Sequence, residues 1–223
     1  MAESTTAVGR LVQVVAQLRE HCLWTAALTH ESLVEYLIEE SHELAEVIEA
    51  GPGTGAAELK GELADVLFQV LLHARIQEEA GNFNFEDVAE YLSAKLVRRN
   101  RHVFKPDGSL QESFPGSIEE IVASYDAVKQ GERPERDSPF DGIPPTLPAL
   151  TLAAKSIDRA RRAGFPVDQQ PGSFEAGSRP PASETELGDL LLAVVRQASA
   201  AGLDAEQALR GAVRRFQRSV TGA

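Results

Sequence analysis

Wound as an α-helix, the stretch from Ala57 to Glu79 is apolar almost all the way round. Leu59, Leu63, Val66, Leu67, Val70 and Leu71 fall on one side, and Phe68, Leu72 and Ile76 fall on the other. Such a helix is expected to be enclosed, so the chain must fold around it. A single polar stripe, Glu62, Asp65, Gln69 and His73, interrupts the apolar surface. On an enclosed helix that stripe faces an internal site, and Glu62 and Asp65, at i and i+3, point the same way.

The rest of the chain carries the same 3.6-residue period and little alternation of period 2, which predicts an all-α fold. Helices are expected over Thr6 to Arg19, Ser32 to Ala50, Ala57 to Glu79 and, behind an Asn84 cap, on to Arg101. Gly51-Pro52-Gly53-Thr54-Gly55 separates the second from the third. Connections this short favour antiparallel neighbours in a bundle. From Phe104 to Leu150 prolines punctuate the sequence, and only Ile118 to Lys129 reads as a helix. Helices resume over Leu150 to Arg162, Leu187 to Ala200 and Ala205 to Ser219, with a polar Gly- and Pro-rich loop over Gln169 to Ala182. An internal echo relates Glu62-Leu-Ala-Asp65 to Glu186-Leu-Gly-Asp189, and Val97-Arg98-Arg99 to Val213-Arg214-Arg215. We therefore divide the chain into a helical domain at 1–104, a Pro-rich connector at 105–149 and a degenerate second copy at 150–223. That copy has no glutamate-rich helix before Glu186, and Gly211 stands where the first copy has Lys95.

Charge locates the chemistry. Of a net charge of -12, residues 1–104 carry -9, from 17 acidic and 8 basic side chains. Nine glutamates lie between Arg19 and Lys60 with no lysine or arginine among them. On a helical wheel of the Ser32–Ala50 segment, Leu33, Leu37, Leu44 and Ile48 centre the apolar arc. Glu40 falls inside it, Glu43 at its border and Glu39 just beyond, while Glu31, Glu35, His42, Glu46 and Glu49 face away. Glu40 and Glu43 are thereby assigned to the interior, where an ionised carboxylate needs compensation. Together with Glu62 and Asp65 they form an all-oxygen ligand set for a hard divalent cation, Mg²⁺, Mn²⁺ or Ca²⁺. Lys95 and Arg99 share one face of the next helix, with Arg98 beside them. Bound cations on one side and fixed cations on the other suit a polyphosphate.

Other classes are set aside. A lone cysteine, Cys22, excludes a disulfide scaffold. No apolar stretch approaches the roughly 20 residues of a membrane span, and the first residues lack a signal-peptide core, so a cytoplasmic protein without a membrane partner is expected. The acidic balance argues against nucleic acid as a partner. A di-iron carboxylate bundle would need a second Glu-x-x-His beside Glu39-x-x-His42, and the sequence contains none.

The segments Tyr36-Leu-Ile-Glu39-Glu40-Ser-His-Glu43-Leu, Glu62-Leu-Ala-Asp65-Val-Leu-Phe-Gln, Gly81-Asn-Phe-Asn-Phe-Glu and Lys95-Leu-Val-Arg-Arg-Asn-Arg-His-Val-Phe104 resemble the MazG family of nucleoside triphosphate pyrophosphohydrolases. The resemblance is close over about residues 10–104 and looser beyond. It implies a MazG-like antiparallel helical bundle that forms homodimers. It also implies a Mg²⁺-dependent enzyme that cleaves a nucleoside triphosphate to monophosphate and pyrophosphate. By position, Glu40, Glu43, Glu62 and Asp65 would hold the metal, and Glu39 would ligate it or orient the attacking water. Lys95 and Arg99 would grip the phosphates, and Trp24 would contact the base. The chain departs from the pattern at His21-Cys22-Leu23-Trp24-Thr25, where the family has Cys-Pro-Trp-Asp, and at Gly164-Phe165-Pro166-Val167, where it has Gly-Phe-Asp-Trp. A catalytically silent nucleotide-binding or helical interaction module is the alternative.

Overall fold

The computed structural model describes residues 6–51, 55–131, 138–167 and 180–221, all of them helix or connection apart from one β-bridge between Phe104 and Leu110. The expected loop at Gln169 to Ala182 lies mostly outside the described residues. Two units emerge, Met1–Gly131 and Glu132–Ala223, so the stretch read as a connector is shared between them. The first unit holds α1 (Ala7–His21), α2 (Leu23–Ala27), α3 (His30–Glu49), α4 (Ala56–Glu79), α5 (Phe85–Arg99) and α6 (Ile118–Gly131). The second holds α7 (Ala149–Arg162), α8 (Glu184–Ala200) and α9 (Ala205–Thr221).

Local chemistry sets the boundaries. Thr6 caps α1, its hydroxyl accepting from the Gly9 N–H. A reciprocal pair opens α3 two residues earlier than expected: the Thr29 hydroxyl accepts from the Ser32 N–H and the Ser32 hydroxyl from the Thr29 N–H. Asn84 and Asp87 do the same for α5. At the end of α4, Gly81 takes φ 74°, its N–H bonding the Glu78 carbonyl while the Asn82 N–H bonds that of Gln77. This left-handed closure favours glycine. The five-residue α2 has no counterpart in the sequence reading. It is held from outside, by the Thr25 hydroxyl on the Leu18 carbonyl and by Arg19, which donates to the carbonyls of Thr25 and Leu28 and to the Glu79 carboxylate.

α3 and α4 form the central antiparallel pair, with α1 and α5 against α4, α2 against α1 and α6 against α5. Val15, Leu33, Leu71 and Leu72 make the buried core, with Leu11, Val12, Leu28, Tyr36, Phe68, Ile76 and Phe85 packed around it. Two expectations need correction. Ile48 is exposed and Val47 is buried, because the buried line of α3 runs Leu33, Tyr36, Glu40, Leu44, Val47 and leaves Ile48 at its edge. Nor is α4 enclosed all round. Gln69, Leu71, Leu72 and Ala74, all in its later half, are buried, whereas Leu63 is 52% exposed, and Leu59, Leu67 and Val70 are exposed along the same side as Leu63.

In the second unit α7 packs on α8 and α9, and α8 on α9. The burial pattern of α4 recurs along α8: Ala193 and Val195 are buried as Gln69 and Leu71 are, and Leu187, Leu191 and Val194 are exposed as Leu63, Leu67 and Val70 are. The echo seen in sequence is therefore also an echo of packing.

Candidate functional site

Glu40 on α3 and Glu62 and Asp65 on α4 each offer a carboxylate oxygen, and these oxygens lie within 4.8 Å of one another. Two contacts fix the antiparallel register that brings them together. His30, at the start of α3, meets His73 and Gln77 near the end of α4, and Glu40, ten residues on, meets Glu62 and Asp65 near its start. Among the described residues this is the one group of three or more potential ligands.

Its electrostatics are those of an uncompensated acidic cluster. Burial pushes the Glu40 carboxyl above the ordinary carboxylate range, and the charges of Asp65, Glu43, Glu39 and Glu62 push it further. Glu62 is raised by burial and then by Glu43, Asp65 and Glu58. One Glu62 oxygen, Oε2, is buried with no hydrogen-bond partner. A buried carboxylate oxygen lacking a donor normally signals a missing cation or water. Oxygens bound to one Mg²⁺ at about 2.0–2.1 Å sit from about 3 Å apart when adjacent to about 4.2 Å when opposite. The present spacing reaches that range through side-chain torsions, so the residues fit a hard divalent ion.

Other expected residues are placed less tightly. Glu43 is exposed rather than interior, yet close enough to raise both Glu40 and Glu62. Glu39 is exposed beside Glu40, and Asp65, though one of the three, is also exposed. Lys95, Arg98 and Arg99 occupy the last turns of α5, which packs on α4. They are not drawn onto the carboxylates, since the charges acting on Glu40 and Glu62 are all acidic. Arg99 instead lies over the Tyr125 ring, 6.0 Å from its centroid, and reaches its hydroxyl at 3.4 Å.

Trp24 is 66% exposed, at the edge of a T-shaped pair with Tyr36 whose centroids are 6.5 Å apart. Tyr36 lies one helical turn before Glu40 on α3, so an aromatic pair adjoins the acidic group on the same helix face. From sequence, Tyr36 enters only as the first residue of the motif Tyr36-Leu-Ile-Glu39-Glu40, with no role of its own. The i, i+4 relation to Glu40 was the available signal. Interpolating the α3–α4 register puts Gln69, 4% exposed with an unpartnered Oε1, at the level of Tyr36.

An antiparallel helix pair converging acidic side chains from both members, flanked by an aromatic pair, defines an all-α protein with a carboxylate centre. Residues 28–104 match the MazG nucleotide pyrophosphohydrolase domain. The nucleoside triphosphate pyrophosphohydrolase/pyrophosphatase MazG of Thermotoga maritima is 35% identical over 97% of this chain and 85% of its own length. The nucleoside triphosphate pyrophosphohydrolase of Escherichia coli K12 is 34% identical over 95% of this chain and 84% of its own. An uncharacterized 26.1 kDa protein of Streptomyces cacaoi is 38% identical over 96% and 81%. The chain belongs to the MazG family of nucleoside triphosphate pyrophosphohydrolases, an enzyme family.

Proposed function

We propose that the chain hydrolyses nucleoside triphosphates to the monophosphate and pyrophosphate, with Mg²⁺, or Mn²⁺ in its place, held by Glu40, Glu62 and Asp65 and assisted by Glu43. The observation that carries this reading is the convergence of three carboxylates, one with a buried unpartnered oxygen, in a member of this family. When bound, the ion supplies charge neutralisation for the phosphate oxygens.

Glu39, exposed beside the cluster, takes the proton of the attacking water. The water oxygen bonds to the α-phosphorus, the bond from that phosphorus to the bridging oxygen breaks, and pyrophosphate leaves with the electron pair. Lys95 and Arg99, with Arg98 beside them, meet the leaving phosphates from α5 once substrate draws them in. Trp24 and Tyr36 give the base an apolar face. Leu59, Leu63, Leu67 and Val70 on α4, exposed along one face, support pairing with a second copy. Glu186 and Asp189 are both exposed and have no glutamate-bearing helix in the sequence corresponding to α3, which leaves the chemistry to the first unit.

Two outcomes test the proposal. Incubation with a panel of ribo- and deoxyribonucleoside triphosphates should release pyrophosphate and monophosphate in equal amounts only when Mg²⁺ or Mn²⁺ is present. Orthophosphate and diphosphate as products, or no products with any member, would refute it. The second outcome concerns stability. Because Glu40 and Glu62 are raised in the folded state, the stability they contribute is full below their unfolded values and fades as pH rises through their folded ones. Their contribution in cation-free protein is thus smallest at neutral pH. Mg²⁺ should accordingly raise the melting temperature more at pH 7.5 than at pH near about 4. A Mg²⁺ effect equal at both pH values would argue that these carboxylates do not bind it.

A further inference from the structure

The α3–α4 pair carries a second polar junction, at the end remote from the carboxylates. The His30 and His73 rings are parallel to within 4°, with centroids 5.0 Å apart, and their Nδ1 atoms are 2.7 Å from each other. Both side chains are half-buried. Gln77 Nε2 lies 2.6 Å from His30 Nε2, and Asn82 Nδ2 donates to Gln77 Oε1 at 2.7 Å. The glycine-closed turn after α4 holds Asn82 there, through its N–H on the Gln77 carbonyl.

With the two amides oriented as they stand, this chain of contacts assigns the protons. Asn82 occupies the Gln77 oxygen, so the Gln77 NH₂ group is the one that faces His30 and donates to Nε2. A neutral imidazole has one N–H. With Nε2 accepting, His30 carries its proton on Nδ1 and donates it to Nδ1 of His73. His73 is then protonated on Nε2. A metal is a poor alternative, because two nitrogens on one tetrahedral Zn²⁺ at about 2.0–2.1 Å lie about 3.3 Å apart. Nor does the pair belong to a group of three potential ligands among the described residues.

We propose that His30 and His73 form a single-proton latch between α3 and α4: one hydrogen occupies the Nδ1···Nδ1 contact, and uptake of a second breaks the contact and loosens that end of the helix pair. A hydrogen on each Nδ1 would aim N–H at N–H across 2.7 Å, a separation that has room for only one. The surroundings offer little relief. On α4, Arg75 pairs with Glu78 at 3.0 Å and with Glu79 at 3.1 Å. From α1, Arg19 pairs with Glu79 at 2.6 Å. On α5, Asp87 accepts from the Asn84 N–H, and Glu86 is exposed. Glu31, next to His30 on α3, is the remaining acidic neighbour, and it is exposed. Burial, followed by the charge of His30, holds His73 below the ordinary histidine range. A base depressed in the folded state contributes stability that is full above its unfolded pKa, about 6.5, and is lost as pH falls through the folded value.

The latch stands apart from the nucleotide chemistry and is tested without turnover. Ring-nitrogen NMR of the ¹⁵N-histidine-labelled full chain should show His30 protonated at Nδ1 and His73 at Nε2. His73 should titrate below about 6.5, the ordinary histidine value. His73→Asn keeps an acceptor near the Nδ1 position but cannot titrate. Between pH 7.5 and pH 5 the wild-type melting temperature should therefore fall several degrees further than that of the variant. Carboxylate contributions cancel in that comparison. Titration of His73 at or above about 6.5, an Nε2 proton on neutral His30, stoichiometric Zn²⁺ binding that shifts both rings, or equal acid sensitivity of wild type and His73→Asn would each overturn the proposal. The NMR titration needs no variant, so a His73→Asn chain that fails to fold leaves it decisive.

Discussion

Asp65→Ala is expected to lose at least about a thousandfold in pyrophosphate release, about 4 kcal/mol of transition-state stabilisation, while keeping wild-type helix content and cooperative melting. Asp65 is exposed on the outer part of the polar stripe, so its side chain contributes little to packing. Its charge raises the carboxyls of both Glu40 and Glu62. Removing it relieves that repulsion, and the cation-free variant should melt no lower than the cation-free wild type. The measurement is a pair: circular-dichroism melting without divalent ions, and product quantitation at saturating Mg²⁺ and substrate. Near-normal turnover would remove Asp65 from the centre. Loss of turnover accompanied by a collapsed melt would make the effect one of folding instead.

The opposite signature is expected from Leu72→Ala. Leu72 is 1% exposed, in the core cluster with Val15, Leu33 and Leu71. Truncating a buried leucine loses the transfer free energy of three carbons and leaves a cavity, together costing about 2–5 kcal/mol. Denaturant unfolding should show that loss in the midpoint with little change in slope. Turnover per folded molecule should stay within a few-fold of wild type at temperatures where the variant is folded. A cost under about 1 kcal/mol would mean that this face of α4 is not the packed centre of the unit.

The two substitutions lie seven residues apart on one helix and separate its two jobs, which the sequence also separates. A line of carboxylate, carboxylate, amide and imidazole through an otherwise apolar helix has few structural uses, and Glu62, Asp65, Gln69 and His73 stood out for that reason. Helix spans followed from periodicity and from the Asn84 cap, whose side chain bonds the Asp87 N–H three residues on. What eluded the sequence depends on distant partners. The short α2 is held through the Thr25 hydroxyl and through Arg19, which also reaches Glu79 across sixty positions. The His30–His73 contact requires the register of α3 on α4, which no local pattern encodes. Exposure of Leu63 and Leu67 was equally hidden, because an apolar residue reads the same whether its partner is its own chain or another. Lys95 and Arg99 stand on α5, which packs on α4, and Arg99 lies over the Tyr125 ring.

Anomalous diffraction from crystals of the full chain soaked in Mn²⁺ and a non-hydrolysable triphosphate tests the cation centre most directly. A manganese peak is expected at bonding distance from oxygens of Glu40, Glu62 and Asp65, with phosphate oxygens completing its shell. Manganese bound elsewhere with these three carboxylates unligated, or a triphosphate seated away from them, would contradict it.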